Sequence, residues 1–233
     1  MPGDRFPSFI TGYADPVGQP PWAMQIVLRM ERSPAPRRTQ LCEAAGVAVA
    51  RLMDDPRSGP AGDWGLSFER WLAGRIRKHC RRARGIAWER VLTLPGVTAE
   101  VGGAEARALV PCSLAELPAA VAKLQLSGTE PEDPDVRETV ADPGGSVVVS
   151  VCPDPFLPLG KAAAAVGHAA QLTLARMSER RLAAWRASGF SVAVESPATA
   201  RWATVVAASR LQVVDGGLTV VAPGTTTAVA RWT

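Results

Sequence analysis

An acidic, proline-rich stretch divides this chain of 233 residues into two halves, and each half alternates strand-like with helix-like patterns. The stretch, residues 127–146, reads SGTEPEDPDVRETVADPGGS and has few apolar residues, a composition typical of a linker. The flanking segments, 23–126 and 147–233, each have the length of an ordinary domain. Strands that alternate with helices predict an α/β sheet covered by helices on both faces.

The second half gives the clearer pattern. Strand-like runs SVVVSV, SVAVE, LQVV and TTTAVARW are separated by a helix from Lys161 to about Met177 and by the helical patterns ERRLAAWRA and ATARWATVVAA. The first half begins in the same way, with strand MQIVLRM, helix TQLCEAAGVAVARLM and then a long helical stretch through a basic cluster. A hairpin around Val101 to Glu105, strand ARALVP and helix SLAELPAAVAKL follow. Residues 1–22, rich in Pro and Gly, predict an extended tail.

The two halves also share a longer pattern. ALVPCSLAELPAAVAKLQL in the first half and AVESPATARWATVVAASRLQVV in the second each contain a strand, a Ser, a Pro, an amphipathic helix and a strand that opens with Leu-Gln. This match pairs Leu124 and Gln125 with Leu211 and Gln212. It predicts an internal duplication, in which the first half is a degenerate copy and the chain is a monomer that folds as an intrachain pseudo-dimer.

Composition narrows the class of protein. With 47% hydrophobic and 21% charged residues the chain is typical of a soluble globular protein. No apolar run reaches about 18 residues and the first 22 contain no signal-like apolar region, so we expect a cytoplasmic protein with no membrane contact. The four cysteines lie more than thirty residues apart, which predicts neither a disulfide framework nor a metal site. No cofactor is expected.

A basic cluster lies between Glu69 and Arg90, ERWLAGRIRKHCRRARGIAWER. The net charge of +4 is moderate, but this cluster concentrates positive charge on a predicted helix, as a phosphate-binding surface would. The alternative is a solvated helix face. The candidate nucleic-acid contacts are Arg75, Arg77, Lys78, Arg81, Arg82 and Arg84.

The chemistry-bearing residues cluster in the second half. Gly160 and Lys161 open an Ala-rich helix directly after SVVVSV, and His168 follows seven residues later, on the same helix face and roughly 10 Å along the axis. Asp215 and Thr219 stand on a Gly-containing turn after LQVV. A P-loop is excluded, since Pro155 and Ala162 occupy positions that need Gly and Ser or Thr.

A cation, an imidazole, a carboxylate and a hydroxyl suffice for water to attack a carbonyl without metal or cofactor. Lysine is scarce here, with three in the chain against 23 arginines, which favours a specific need for the Lys161 ammonium. The alternatives are a solvated lysine at a helix end and a half-buried core histidine.

The spacing resembles the archaeal and eukaryotic type of peptidyl-tRNA hydrolase. The first motif is matched by Gly160, Lys161, Ala164, His168 and Ala169, and the second by Asp215, Gly217, Thr219, Gly224, Thr225 and Thr227. The resemblance covers the second half, from about Val147 to Trp232, with both motifs in the right order. It departs at Leu159, where the family has a lysine, and at Ala165, where it has a glutamine.

The resemblance implies a three-layer α/β/α sandwich on a mixed sheet. It also implies hydrolysis of the ester between a peptide and the 3′ ribose of tRNA, with Lys161, His168, Asp215 and Thr219 as catalytic residues and Gly160 in contact with substrate. Either His168 or Asp215 could be the general base. A catalytically weak tRNA-binding or translation-associated module, or an ester or amide hydrolase for a small substrate, remain alternatives.

Overall fold

The first half forms a sheet in which one parallel strand pair is extended by antiparallel strands. The computed structural model describes residues 15, 17–18, 20–134, 136–141, 144–216 and 221–232. The elements of this half are β1 (Trp22–Arg29), α1 (Arg38–Asp54), α2 (Gly65–Leu72), β2 (Lys78–Ala83), α3 (Ile86–Leu92), β3 (Gly96–Val101), β4 (Ala104–Leu109), β5 (Cys112–Ser113) and α4 (Ala119–Ala122).

The second half repeats this plan with fewer elements. Its sheet has four strands, and its longest helix begins with the Leu159-Gly160-Lys161 segment. The elements are β6 (Val147–Val151), α5 (Leu159–Arg176), α6 (Glu179–Ala187), β7 (Val192–Glu195), α7 (Thr199–Ala208), β8 (Leu211–Val214) and β9 (Thr226–Arg231).

The two sheets have the same topology. The strand order is β2-β1-β4-β3 in the first half and β7-β6-β9-β8 in the second. In each sheet the first pair is parallel and the other two are antiparallel. The prediction of an α/β fold on mixed sheets with two related halves is therefore confirmed.

The topology corrects the strand correspondence expected from the sequence. In chain order β4 corresponds to β9 and β2 to β7, so ARALVP does not correspond to SVAVE. Likewise β8, which contains Leu211 and Gln212, corresponds to β3 and not to the segment of Leu124 and Gln125. The similar letters of the two segments reflect a similar local pattern, a strand followed by a helix.

The halves meet through their long helices. Helices α1 and α5 pack on each other, and each also contacts the edge strand of the other sheet, α1 against β7 and α5 against β2. Gly46 of α1 and Gly167 of α5 occupy matching positions at this crossing. A single apolar cluster spans both sheets and both helices, so the halves share one core and form a pseudo-dimer within the chain.

We expect Gly46→Val to lower the free energy of unfolding by about 1–3 kcal/mol, the usual cost of overpacking a well-packed core. A β-carbon at Gly46 would lie 2.9 Å from Cγ1 of Val166 and 3.2 Å from Cγ1 of Val192, two stiff side chains of the second half. Chemical denaturation measures the change. Ala203→Val on the exposed face of α7 introduces the same residue into a helix and should cost less than about 1 kcal/mol. Equal losses of stability in Gly46→Val and Ala203→Val would show that close packing between α1 and α5 is not the cause.

The basic cluster is not one long helix. Its first part lies on α2, but residues 78–83 form β2, which pairs in parallel with β1. Side chains alternate across this strand: Lys78, Cys80 and Arg82 line the space next to α5, while Arg81 points to the opposite face.

Helix SLAELPAAVAKL is also shorter than predicted, with α4 covering 119–122 after a single 3-10 turn at 114–116. The hairpin at Val101 to Glu105 forms as expected.

The linker contacts both halves. In its described part Glu130 pairs with Arg38 at 2.7 Å and with Arg82 at 2.8 Å, and it accepts a hydrogen bond from the backbone N–H of Leu159 at 2.7 Å. Further along, the backbone N–H of Val140 donates to Glu195 of β7. Within the described ranges no helix is long and apolar enough to cross a membrane.

Candidate functional site

A large cleft lies where α5 of the second half faces β2 of the first. Its volume is about 1440 Å³, enough for a large ligand. Strand β2, the end of strand β8, helix α5 and the segment around residues 126–130 form its walls. Both halves therefore contribute to one site, at the carboxyl ends of β6 and β8, where open α/β sheets commonly bind ligands.

Lys161 and Asp215 meet in this cleft as an ion pair. Nζ of Lys161, in the first turn of α5, donates to Oδ2 of Asp215, which directly follows β8. The side chains are 17% and 12% exposed, so the pair is largely screened from water and still reachable from the cleft. The sequence predicted that these residues share a site, and the structure brings them together.

His168 lies two turns further along the same helix face and also lines the cleft. Its Nδ1 is 3.3 Å from Nζ of Lys78. Burial, followed by the positive charges of Lys78 and Lys161, holds the pKa of His168 well below its ordinary value of 6.5. The imidazole is therefore neutral at physiological pH.

Lys78 is the residue whose place the sequence did not predict. Predicted as a phosphate contact on a helix, it instead extends from β2 into the core of the site. Its Nζ donates to Oε1 of Gln171 on α5 and lies 4.9 Å from the centroid of the Trp71 ring. Burial lowers the pKa of Lys78 well below 10.5. The scarcity of lysine was the available signal, since two of the chain's three lysines line this cleft.

Lys78 and Gln171 place a cation and an amide in the cleft, whereas positions 159 and 165 hold Leu159 and Ala165. Leu159 is buried, and Ala165 lines the cleft but has no polar group. Gly160 also lines the cleft, next to Cβ of Cys80 on β2.

The cleft carries an excess of positive charge. Six cationic side chains and two carboxylates line it: Arg75, Arg77, Lys78, Arg82, Lys161 and Arg176 with Glu130 and Asp215. Arg77 pairs with Asp15 at 2.6 Å and Arg82 with Glu130. Arg75 and Arg176 are exposed at the cleft. Such an excess favours a polyanionic ligand.

Two arginines of the predicted phosphate-binding surface lie elsewhere. Arg81 is buried on the opposite face of β2, where it donates to Oε1 of Gln25 at 2.8 Å and to the carbonyl of Leu124 at 3.0 Å. Arg84 is exposed beyond the end of the strand and does not line the cleft. The alternation of side chains along β2 accounts for Arg81, whereas Arg84 lies past the end of the strand. Thr219 and Gly217 lie outside the described residues.

The first half contains a reduced counterpart of the cleft. The shared topology and the matching glycines place Gln40 at the position of Lys161 and Val47 at that of His168, while the end of β3 at Val101 corresponds to the end of β8, just before Asp215. The cavity beside Gln40 and Val101 has a volume of about 220 Å³ and is lined partly by Asp133 and Arg137 of the linker. The first half thus has the same topology without the lysine, histidine and aspartate of the larger cleft.

The other cysteines and carboxylates in the described part of the chain form no metal-binding cluster. Among the described residues, no group of three or more His, Cys, Asp or Glu side chains could hold a metal ion. The four cysteines are free thiols, three of them buried. Burial raises the pKa of Cys42 to about 12, so this thiol stays protonated and is a poor nucleophile.

Comparisons of this chain with protein-family models, with curated proteins and with solved structures gave no match. The functional argument therefore rests on the geometry and charge of the cleft.

Proposed function

We propose that this protein is a peptidyl-tRNA hydrolase, a carboxylic ester hydrolase that uses activated water to cleave the bond between a peptide and the 3′ ribose of tRNA. The observation that carries the proposal is the meeting of Lys161, Asp215 and neutral His168 in one positively charged cleft. Such a substrate occurs where translation occurs, so the proposal includes a cytoplasmic location. Its partner is tRNA.

The site residues fit the steps of ester hydrolysis. A water oxygen bonds to the ester carbonyl carbon while the Asp215 carboxylate or the His168 imidazole takes its proton. The negative charge that develops on the carbonyl oxygen is stabilised by a nearby donor or cation, which typically contributes a factor of about 10²–10³ in rate. The carbon–oxygen bond to ribose then breaks, and the ribose oxygen takes up the proton.

The charge of the cleft supports a tRNA substrate over a small ester. A small neutral substrate would not require six cationic side chains around the site. A tRNA end brings phosphates that arginine binds well. Arg75 and Arg176 are placed at the exposed part of the cleft, where a polynucleotide could reach them.

The deciding experiment is a turnover assay of the full chain with an N-acetylated aminoacyl-tRNA, which stands in for peptidyl-tRNA. Release of the acetylated amino acid would support the proposal. Binding of the tRNA without release would favour the alternative of a tRNA-binding module. Cleavage of a small activated ester with no effect of added tRNA would favour a small-substrate hydrolase.

A prediction for tRNA binding follows from the exposed arginines. Replacing Arg75 and Arg176 together by Gln should weaken tRNA binding across sequences and reduce the slope of log affinity against log salt by about one unit for each phosphate that the variant no longer neutralises. Fluorescence anisotropy over a salt series measures this. Replacing Arg180 and Arg181 together by Gln, on the exposed face of α6 and outside the cleft lining, removes the same number of charges and is the matched control. An equal effect of this control would show that the binding is nonspecific charge attraction.

A further inference from the structure

Lys78 makes three directed contacts, and each is with an electron-rich group. Its Nζ donates to Oε1 of Gln171, lies 3.3 Å from Nδ1 of His168 and lies 4.9 Å from the centroid of Trp71. An ammonium group has three N–H donors and no acceptor. The carbonyl oxygen, the imidazole nitrogen and the face of the indole ring match those three donors.

We propose that Lys78, supplied by the first half, holds His168 as the tautomer with the proton on Nε2, so that His168 donates a hydrogen bond into the cleft and is not the base that activates water. A protonated Lys78 has no lone pair on Nζ and can only donate, so Nδ1, 3.3 Å away, accepts from it and carries no proton of its own. In a neutral imidazole the other nitrogen must then be the donor. Lys78 is thus a positioning residue, and the catalytic consequence for His168 rests on the proposed function.

The surrounding charges keep His168 in this neutral, donating form. Lys78 and Lys161 both disfavour a second proton on the ring, and burial acts in the same direction. The Asp215 carboxylate is paired with Lys161, and the thiol of Cys80, beside Lys78 on β2, stays protonated because burial raises its pKa. No described carboxylate pairs with Lys78 or His168.

This assigns the steps of the reaction within the cleft. Asp215 takes the proton from water as the oxygen–carbon bond forms, and Nε2–H of His168 donates to the oxygen that becomes negative. When the carbon–oxygen bond to ribose breaks, Asp215 returns the proton to the ribose oxygen. His168 therefore gains and loses no proton during turnover.

The first test is spectroscopic and needs no activity. The chain has two histidines, His79 and His168, so ¹⁵N-imidazole labelling with a His79→Gln variant for assignment isolates the ring of interest. At neutral pH, long-range ¹H–¹⁵N spectra of the full chain should show Nε2 protonated and Nδ1 unprotonated. Lys78→Met should shift His168 toward a mixture of tautomers. A proton on Nδ1 in the unaltered chain would overturn the inference, even if Lys78→Met failed to fold.

The second test separates a donor from a base. Gln has an N–H₂ donor but cannot take a proton at neutral pH, so His168→Gln should retain at least about ten times the turnover of His168→Ala. The acid limb of kcat/KM should be the same in the unaltered protein and in His168→Gln. Equal inactivity of the two variants would show that the ring acts as a base. If the unaltered protein has no turnover, the proposed function fails while the tautomer measurement still decides the role of Lys78.

Discussion

Asp215→Asn is expected to lower kcat/KM for peptidyl-tRNA by about 10²–10⁴, the usual contribution of a general base. The amide has the shape of the carboxylate and still accepts a hydrogen bond from Lys161, but it cannot take a proton from water. The two side chains are mostly buried, so the exchange keeps the packing of the site. Single-turnover hydrolysis of labelled peptidyl-tRNA measures the loss.

The control for this substitution is Asp63→Asn, at an exposed carboxylate outside the cleft lining. It should leave both turnover and the melting temperature unchanged. A melting temperature of Asp215→Asn close to that of the unaltered protein would assign the loss to chemistry. Retention of full activity would remove Asp215 from the reaction.

Arg231→Met is expected to lower the free energy of unfolding by about 3 kcal/mol at pH 7, because it leaves a buried carboxylate without its partner. Glu195 on β7 is 3% exposed and accepts from both terminal nitrogens of Arg231, at 2.6 and 3.1 Å, from Oγ of Ser150 and from the backbone N–H of Val140. Denaturant titration measures the cost. Arg180→Met, at an exposed arginine, should change stability by less than about 0.5 kcal/mol.

The free energy of unfolding of Arg231→Met should also depend on pH differently from that of the unaltered protein. Burial alone would raise the pKa of Glu195, but the hydrogen bonds from Arg231, Ser150 and Val140 outweigh it and hold the pKa below the ordinary 4.5. The unaltered protein therefore loses this stabilisation as pH falls below 4.5. Without Arg231, burial dominates and the protonated acid is favoured, so the variant gains relative stability on acidification. The difference in free energy of unfolding between the two proteins should therefore shrink at low pH. A difference that does not depend on pH would mean that lost packing dominates.

The sequence predicted the fold class and the convergence of Lys161, His168 and Asp215 on one cleft, because both depend on short, regular patterns. Lys161 and His168 share a helix face through their seven-residue spacing, and Asp215 ends a strand. Their common cleft follows from these positions once the strands lie in one sheet.

The same reasoning failed at residues 78–83. The segment KHCRRA alternates between faces, but Lys78 and Arg82 on one face line the cleft and Arg81 is buried on the other. Polar residues thus occupy both faces, and the apolar alternation that marks a strand is missing. The role of Lys78 depends on contact between the halves, which no local pattern encodes. The strand correspondence failed for a related reason, since it is defined by pairing partners across the sheet.

The pseudo-dimer of linked halves has a genetic consequence. Lys78 on β2 and Val192 on β7 are counterparts, since each is close to the central glycine of the opposite long helix. In a homodimer a single codon would specify both positions. A lysine that serves one site would then also lie in the apolar core at the equivalent position of the second subunit. In one chain with two linked halves, each position has its own codon. One half can then supply a cation to the other half's site, while the second half has a valine that packs the shared core.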